Sequence, residues 1–239
     1  MPPPPEQQAV ELRSAEAGYP LRPVLRQLTA SVPQSAITAV VGPNGSGKST
    51  LLSVLAGVLP LTAGTMERAH TSRPGFVLQR SAVSDTFPLT VRDTVTMGRW
   101  AHRGPWRRLT SHDRSVVERC MDRLGISDLA GRQLGELSGG QRQRALVAQG
   151  LAQEAGLFLL DEPTTGLDIR AKEGILAVLD GAAADGVTVV QATHDLVAAR
   201  QADHCLLLRD GRLVAQGAPD VVLTDEALRH IWDFPVAAV

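Results

Sequence analysis

The chain has 239 residues and a formal net charge of −1, enough length for one large α/β domain or a domain with a subdomain, and no global electrostatic case for nucleic acid. Apolar residues make up 44% and aromatics only 3%, so the core must be aliphatic. Two cysteines, Cys120 and Cys205, form neither a disulfide framework nor a zinc site, which favours a reduced, intracellular compartment.

The N-terminus, Met1-Pro2-Pro3-Pro4-Pro5-Glu6, lacks both the basic start and the apolar stretch of a signal peptide. Residues 1–9 are expected to be a disordered proline-rich tail. Residues 10–14 alternate apolar and polar, as a half-buried strand does; a turn follows around Gly18-Tyr19-Pro20, and residues 24–32 can pair back. Residues 36–41 are a short apolar run ending in a glycine loop, which reads as a buried strand. A helix rich in Leu and Val is expected over 49–59. Phe76-Val77-Leu78 is another short strand, with Gln79 at its end. The pattern then turns helical. Val116, Val117, Cys120, Met121 and Leu124 recur at three- and four-residue spacing, opposite Arg114, Glu118, Arg119, Asp122 and Arg123. A second helix spans 139–153, with Leu146, Val147 and Leu151 on its apolar side. Parallel-strand runs return at 157–160, 187–190 and 205–208, separated by helical stretches. That alternation predicts a parallel sheet covered on both faces, with residues 84–153 inserted as a helical segment. The tail beyond Gly217 is expected to pack on the core. No apolar run approaches the ~20 residues that span a bilayer, so any membrane attachment must come from another subunit.

Gly42-Pro43-Asn44-Gly45-Ser46-Gly47-Lys48-Ser49 fits G-x-x-x-x-G-K-[ST], and Thr50 follows it. Glycines let backbone amides surround phosphate oxygens, and the next helix presents its positive end to the same anion. Lys48 adds a point charge on the β- and γ-phosphates, and Ser49 a hydroxyl for Mg²⁺. The apolar strand 157–160 ends in Asp161, placed to reach Mg²⁺ through water. Glu162 comes next and can polarise the water that attacks the γ-phosphate. No Asn-Lys-x-Asp guanine motif is present, so adenine is favoured. Leu137-Ser138-Gly139-Gly140-Gln141 places two glycines at a helix N-terminus, a second anion site.

These residues carry a resemblance. From about Val10 to about Gly217 the chain resembles ATP-binding-cassette (ABC) transporter ATPases. Leu137–Gln141 matches the family's signature sequence, Gln79 the glutamine at the junction of core and helical subdomain, and Thr164-Thr165-Gly166-Leu167-Asp168 the Gly-Leu-Asp segment. Thr193-His194-Asp195 carries the switch histidine, and Tyr19 lies where an aromatic stacks on adenine. The resemblance implies an α/β fold: a P-loop NTPase with a RecA-like parallel sheet core, an N-terminal antiparallel β subdomain and an inserted α-helical subdomain, within one ATPase domain over 10–239. It implies ATP and Mg²⁺ as cofactors. Lys48, Gln79, Glu162 and His194 would act in catalysis, and Ser49, Gln79 and Asp161 would serve the metal. Tyr19, the loop Gly42–Thr50 and Asp168 would hold nucleotide. Ser138, Gly139, Gly140 and Gln141 would contact the γ-phosphate bound by a second subunit, so two chains complete two sites. Two bland readings stand beside these: Tyr19 as an ordinary turn tyrosine, and His194 as a buried core histidine.

The family resemblance further implies a polytopic permease as partner, an extracytoplasmic substrate-binding protein indirectly, no nucleic acid, and a peripheral place on the cytoplasmic face of the cell membrane. Permease docking is expected near residues 79–108. Within that stretch Arg99-Trp100-Ala101-His102-Arg103-Gly104-Pro105-Trp106-Arg107-Arg108 is basic and aromatic. It reads as a contact with a membrane partner or lipid headgroups, or as a solvated loop with two anchoring tryptophans. Phe87-Pro88-Leu89-Thr90-Val91, Met97-Gly98-Arg99, Trp106-Arg107-Arg108, Asp113-Arg114 and Gln133-Leu134-Gly135-Glu136 look similar to the zinc/manganese importer branch. Thr164-Thr165-Gly166-Leu167 departs from that branch. Iron-siderophore and haem importers share much of the pattern, and an iron–sulfur assembly ATPase is a further alternative. The six histidines show no ligand spacing.

Overall fold

In the computed structural model, residues 7–20, 22–69, 72–78, 88–104 and 106–232 are described. Two sheets share one helix between them. The smaller sheet has the order β2-β1-β4, built from β1 (Gln8–Tyr19), β2 (Arg22–Pro33) and β4 (Ala63–Arg68), with both pairings antiparallel. The larger runs β5-β6-β7-β3-β8-β9, from β3 (Ile37–Val41), β5 (Gly75–Val77), β6 (Leu157–Asp161), β7 (Thr188–Thr193), β8 (His204–Arg209) and β9 (Arg212–Gly217). Its strands are parallel from β5 to β8, and β9 closes the edge antiparallel to β8.

The central strands are apolar throughout because both faces are covered. Val40, Leu157, Leu159, Val190, Leu206 and Leu208 face one core, and Ala39, Val41, Phe158, Leu160, Val189 and Leu207 face the other. The first core lies between the sheets and encloses α1 (Lys48–Leu55), whose Leu51, Leu52 and Leu55 are fully buried. Each such leucine contributes on the order of 2 kcal/mol relative to exposure. The second core takes helices between β5 and β6, namely α2 (Val91–Met97), α4 (Ser111–Arg123) and α5 (Gly139–Leu151), together with α6 (Ile169–Ala184), α7 (Leu196–Arg200), α8 (Pro219–Val222) and α9 (Asp225–Trp232), while the short α3 (Trp100–Arg103) adds no buried residue to it. Capping boxes start α2, α4 and α5 at Thr90/Asp93, Thr110/Asp113 and Ser138/Gln141.

Several expectations shift. β1 begins at Gln8 and Ala9 is buried, so those two residues belong to the sheet and not to a tail. Its hairpin with β2 is longer than the alternation suggested; Gly18 stays in the strand and Tyr19 pairs with Arg22. The sheet is parallel but for its edge, since β9 returns antiparallel from a tight turn at Asp210 and Gly211. The helix after the glycine loop ends at Leu55, not 59. Helix α5 ends at Leu151, not 153. The first helix of the inserted segment starts at Val91; residues 84–87, including Phe87, lie outside the described residues, as does Gln79. Val222, Leu223 and Ile231 are buried, so the tail beyond Gly217 does pack on the core.

Candidate active site

β3 hands the chain directly to the first glycine loop. A Cβ at Gly42 would stand 2.2 Å from the Leu208 carbonyl oxygen and 2.7 Å from Ser46 Oγ. Only glycine lets the loop pass that close to β8. Gly47 caps α1 at φ 103°, in left-handed space, and brings no side chain to cap it. The first-turn amides of α1 are therefore uncapped at the helix's positive end, where an anion is favoured.

Above them lies a cleft of about 900 Å³, in the size range of nucleotide sites. It sits at the carboxyl ends of the parallel strands, the ligand edge of such sheets. Tyr19 from the β1–β2 hairpin lines it, 52% exposed, with Gly42, Pro43, Asn44, Gly45, Gly47, Lys48, Ser49 and Thr50. Glu162 and His194 line the same cleft. Ser46 is turned behind the loop, 2% exposed, and its hydroxyl has no hydrogen-bond partner among the described residues.

Lys48 is nearly buried, and its ammonium donates to the carbonyl oxygens of Gly42 at 2.8 Å and Pro43 at 3.1 Å. Burial pushes its pKa down, against the opposing pull of Glu162 and Asp161. Asp161, the last residue of β6, is 5% exposed. Burial pushes its pKa up, as does the charge of Glu162, while a hydrogen bond from Ser49 and the charge of Lys48 pull it down. Ser49 and Asp161 thus form a pair of hard oxygen donors at the loop, a set that suits Mg²⁺.

Glu162 is a non-glycine residue at φ 51°, a backbone strain of the kind that gathers at functional sites. Its Oε2 accepts from the Thr165 hydroxyl at 3.0 Å, and its Oε1 stands 3.5 Å from His194 Nδ1. The His194 side chain is 53% exposed, so a buried core histidine is not what the fold contains. Its backbone is held on both sides: β7 ends at Thr193, whose hydroxyl accepts the Asp195 amide, and Asp195 caps α7 through Val197 and Ala198. Lys172 donates to the other Asp195 oxygen at 3.0 Å and holds that carboxyl below its ordinary range.

Two expected groups stand apart from the cleft. Ser138, Gly139, Gly140 and Gln141 do not line it. Ser138 Oγ accepts from the Gln141 amide, and Gln141 Oε1 accepts from the Ser138 amide, so the helix caps itself. Asp168 caps α6 by accepting from the Ala171 amide at 2.8 Å and likewise does not line the cleft. The sequence reading missed Arg22, Val24, Thr165 and Trp232 as lining residues. Arg22 and Val24 come in because the hairpin turns tightly at Tyr19. Trp232 arrives from the end of α9, and no local pattern marks it.

The profile of the ABC transporter family matches residues 25–165. The manganese transport system ATP-binding protein MntB of Bacillus subtilis is 34% identical over 229 residues, covering 93% of this chain and 92% of that protein. The hemin import ATP-binding protein HmuV of Nocardia farcinica is 40% identical over 229 residues, covering 91% and 78%. A solved ABC transporter in an inward-facing conformation, assigned to the metal-chelate type, superposes with a TM-score of 0.86 at 34% identity, covering 96% of this chain and 90% of that one.

Proposed function

This chain belongs to the ABC transporter ATPases, and on that premise we propose that it energises import of a divalent metal, zinc or manganese, through a separate membrane permease. The observation that carries the ATPase chemistry is the meeting of the glycine loop, Glu162 and His194 in one cleft while the signature sequence stands outside it. The manganese transport relative and the metal-chelate neighbour support the substrate class. Hemin is the second reading, supported by the Nocardia relative at 40% identity.

In this reading Tyr19 stacks on adenine, and the loop from Gly42 to Thr50 binds the phosphates through its amides and Lys48. Ser49 and Asp161 would hold Mg²⁺, with Gln79 as a further donor, and the ion would offset phosphate charge when bound. Glu162 takes the proton of the attacking water. Thr165 fixes one of its oxygens and leaves the other toward His194, which positions the γ-phosphate. Asp168 sets the start of α6 beside the site. ATP held between the loop of one copy and Ser138–Gln141 of a second joins two copies, and hydrolysis replaces that joint with repelling products.

Among the described residues no helix is long and apolar enough to cross a membrane. Attachment to the cytoplasmic face would therefore come through the permease. A cleft of about 230 Å³ lined by Phe76, Leu78, Leu89, Met97 and Leu134 opens where β5 leads toward α2. Trp100 and Trp106 are exposed nearby in sequence, at 40% and 94%. These apolar groups support docking within residues 79–108, with the substrate-binding protein reaching the cassette only through the permease. A strain lacking this chain, grown under chelator-limited supply, is expected to hold less zinc or manganese by elemental analysis of washed cells. Unchanged zinc and manganese with lost growth on hemin iron would move the assignment to the second reading.

A further inference from the structure

Arg99 joins α2 to α3 and is only 3% exposed. Its guanidinium is engaged in three directions. Nε donates to Asp113 Oδ1 at 3.0 Å; Nη1 donates to the Ala152 carbonyl oxygen at 2.7 Å and to Glu154 Oε2 at 2.8 Å. Asp113 is itself buried, and its other oxygen takes the amide and hydroxyl of Thr110 and stands 3.2 Å from Arg103 Nε. His102 Nε2 meets the Gln153 carbonyl oxygen at 2.6 Å, and His112 Nε2 meets Glu154 Oε2 at 3.2 Å. The backbone is just as close: a Cβ on Gly98 would stand 2.3 Å from the Gln149 carbonyl oxygen. Residues 98–103 are thus fastened to the last turn of α5.

The opposite end of α5 is the signature sequence. Ser138 is its N-cap and Ala152 its C-cap. An unbroken helix of that length is a rod of about 20 Å. Burying an ion cluster costs desolvation that apolar residues of similar volume would avoid. The fork of an arginine offers what they do not: fixed directions to two carboxylates and a helix-end carbonyl at once, at the end of α5 where a cation is favoured. Toward solvent the same segment carries the exposed Trp100 and Trp106.

We propose that Arg99 is a positioning residue for the signature sequence: by gripping the far end of α5 it sets where Ser138, Gly139 and Gly140 meet the ATP of a second copy, and it carries displacements of residues 100–108 to them. The inference rests on the reading that the signature sequence acts on a second copy's nucleotide. The test uses the purified full chain carrying Glu162→Gln, with and without Arg99→Lys. Fluorescent ATP titration reads binding to the monomer, sedimentation reads ATP-driven dimerisation, and thermal unfolding reads integrity. The same Arg99 substitution in the Glu162 parent reads kcat and KM. Arg99→Lys is expected to leave monomer ATP affinity within about twofold while weakening dimerisation and kcat about tenfold, within the usual span of coupling between sites. If Arg99→Lys does not fold, Glu154→Gln on the part-exposed partner carries the same expectation at smaller size. Folded variants whose dimerisation and kcat match their parents overturn the proposal. So do variants in which ATP affinity and dimerisation fall together with the melting temperature. Ser138→Arg separates the premise: if it too dimerises normally with ATP, the reading of the signature sequence fails, rather than the role of Arg99.

Discussion

In the proposed function Glu162 concentrates the chemistry in one side chain. It follows the last residue of β6 at φ 51°, a conformation that disfavours any side chain with a Cβ. The fold tolerates the strain because it aims Oε1 toward His194 and leaves Oε2 to Thr165. An amide in place of the carboxylate keeps the size and the Thr165 contact but cannot take a proton from water. Glu162→Gln is therefore expected to bind ATP as the parent does and to lose ~10²-fold or more in turnover, the scale of general-base loss. Parallel ATP titration and phosphate-release assays check it, and near-normal turnover would remove Glu162 from the role. Most of this cleft was legible in the sequence, because the glycine loop, Asp161-Glu162 and His194 each close a short apolar strand at the sheet's ligand edge. Trp232 was not, because its place depends on where α9 docks and not on any local pattern.

At the scale of elements, legibility followed burial. β3, β6, β7 and β8 are buried along nearly their whole length and announce themselves as apolar runs. β4 and β9 escaped because they are edge strands: residues 63–68 are nearly all exposed, and residues 212–217 alternate exposed with half-buried. The helices between β5 and β6 depend on charges that hydrophobic periodicity cannot reveal. Asp113 is held below its ordinary carboxylate range by the Thr110 hydroxyl and amide and by Arg99, and Glu154 is lowered by His112 and Arg99 against its burial. Asp195 is lowered by Lys172. Folded pKa values below the unfolded ones of 3.8 for Asp and 4.5 for Glu mean stability that is present above those values and lost progressively as pH falls from them toward the folded values. Asp161 runs the other way: its raised pKa makes ionisation above 3.8 cost stability, a partial offset. The chain is thus expected to lose urea resistance as pH drops from 5 to 3. Asp113→Asn is expected to be less stable at pH 7 by on the order of 3 kcal/mol, as for a broken buried pair, but with a flatter acid slope. Equal slopes in the two proteins would show that Asp113 does not carry the acid response.

For the whole molecule, the proposed function makes a pair of copies the unit of activity, because only one of the two glycine motifs lines the cleft. The cleft is lined by the loop, Glu162 and His194 but not by Ser138–Gln141, which stands at the start of α5, where Gly140 faces Leu167 and Ala171. On the proposed reading, both sites in a pair of copies are complete only if each chain lends its signature sequence to the other, as an isologous two-fold arrangement allows. Two defects that are each fatal alone should then complement. Lys48→Ala removes phosphate binding but leaves the signature sequence intact; Ser138→Arg blocks the signature sequence but leaves the loop intact. In an equal mixture half the pairs are mixed, and each mixed pair has one intact site of two, so activity should return to about a quarter of the parent's if the sites act independently. Each variant alone should stay inactive, and the parent's turnover per chain should fall on dilution toward the monomer. Full turnover from a sample shown by sedimentation to be monomeric, or a mixture of folded variants no more active than its components, would mean that the chain completes its site alone.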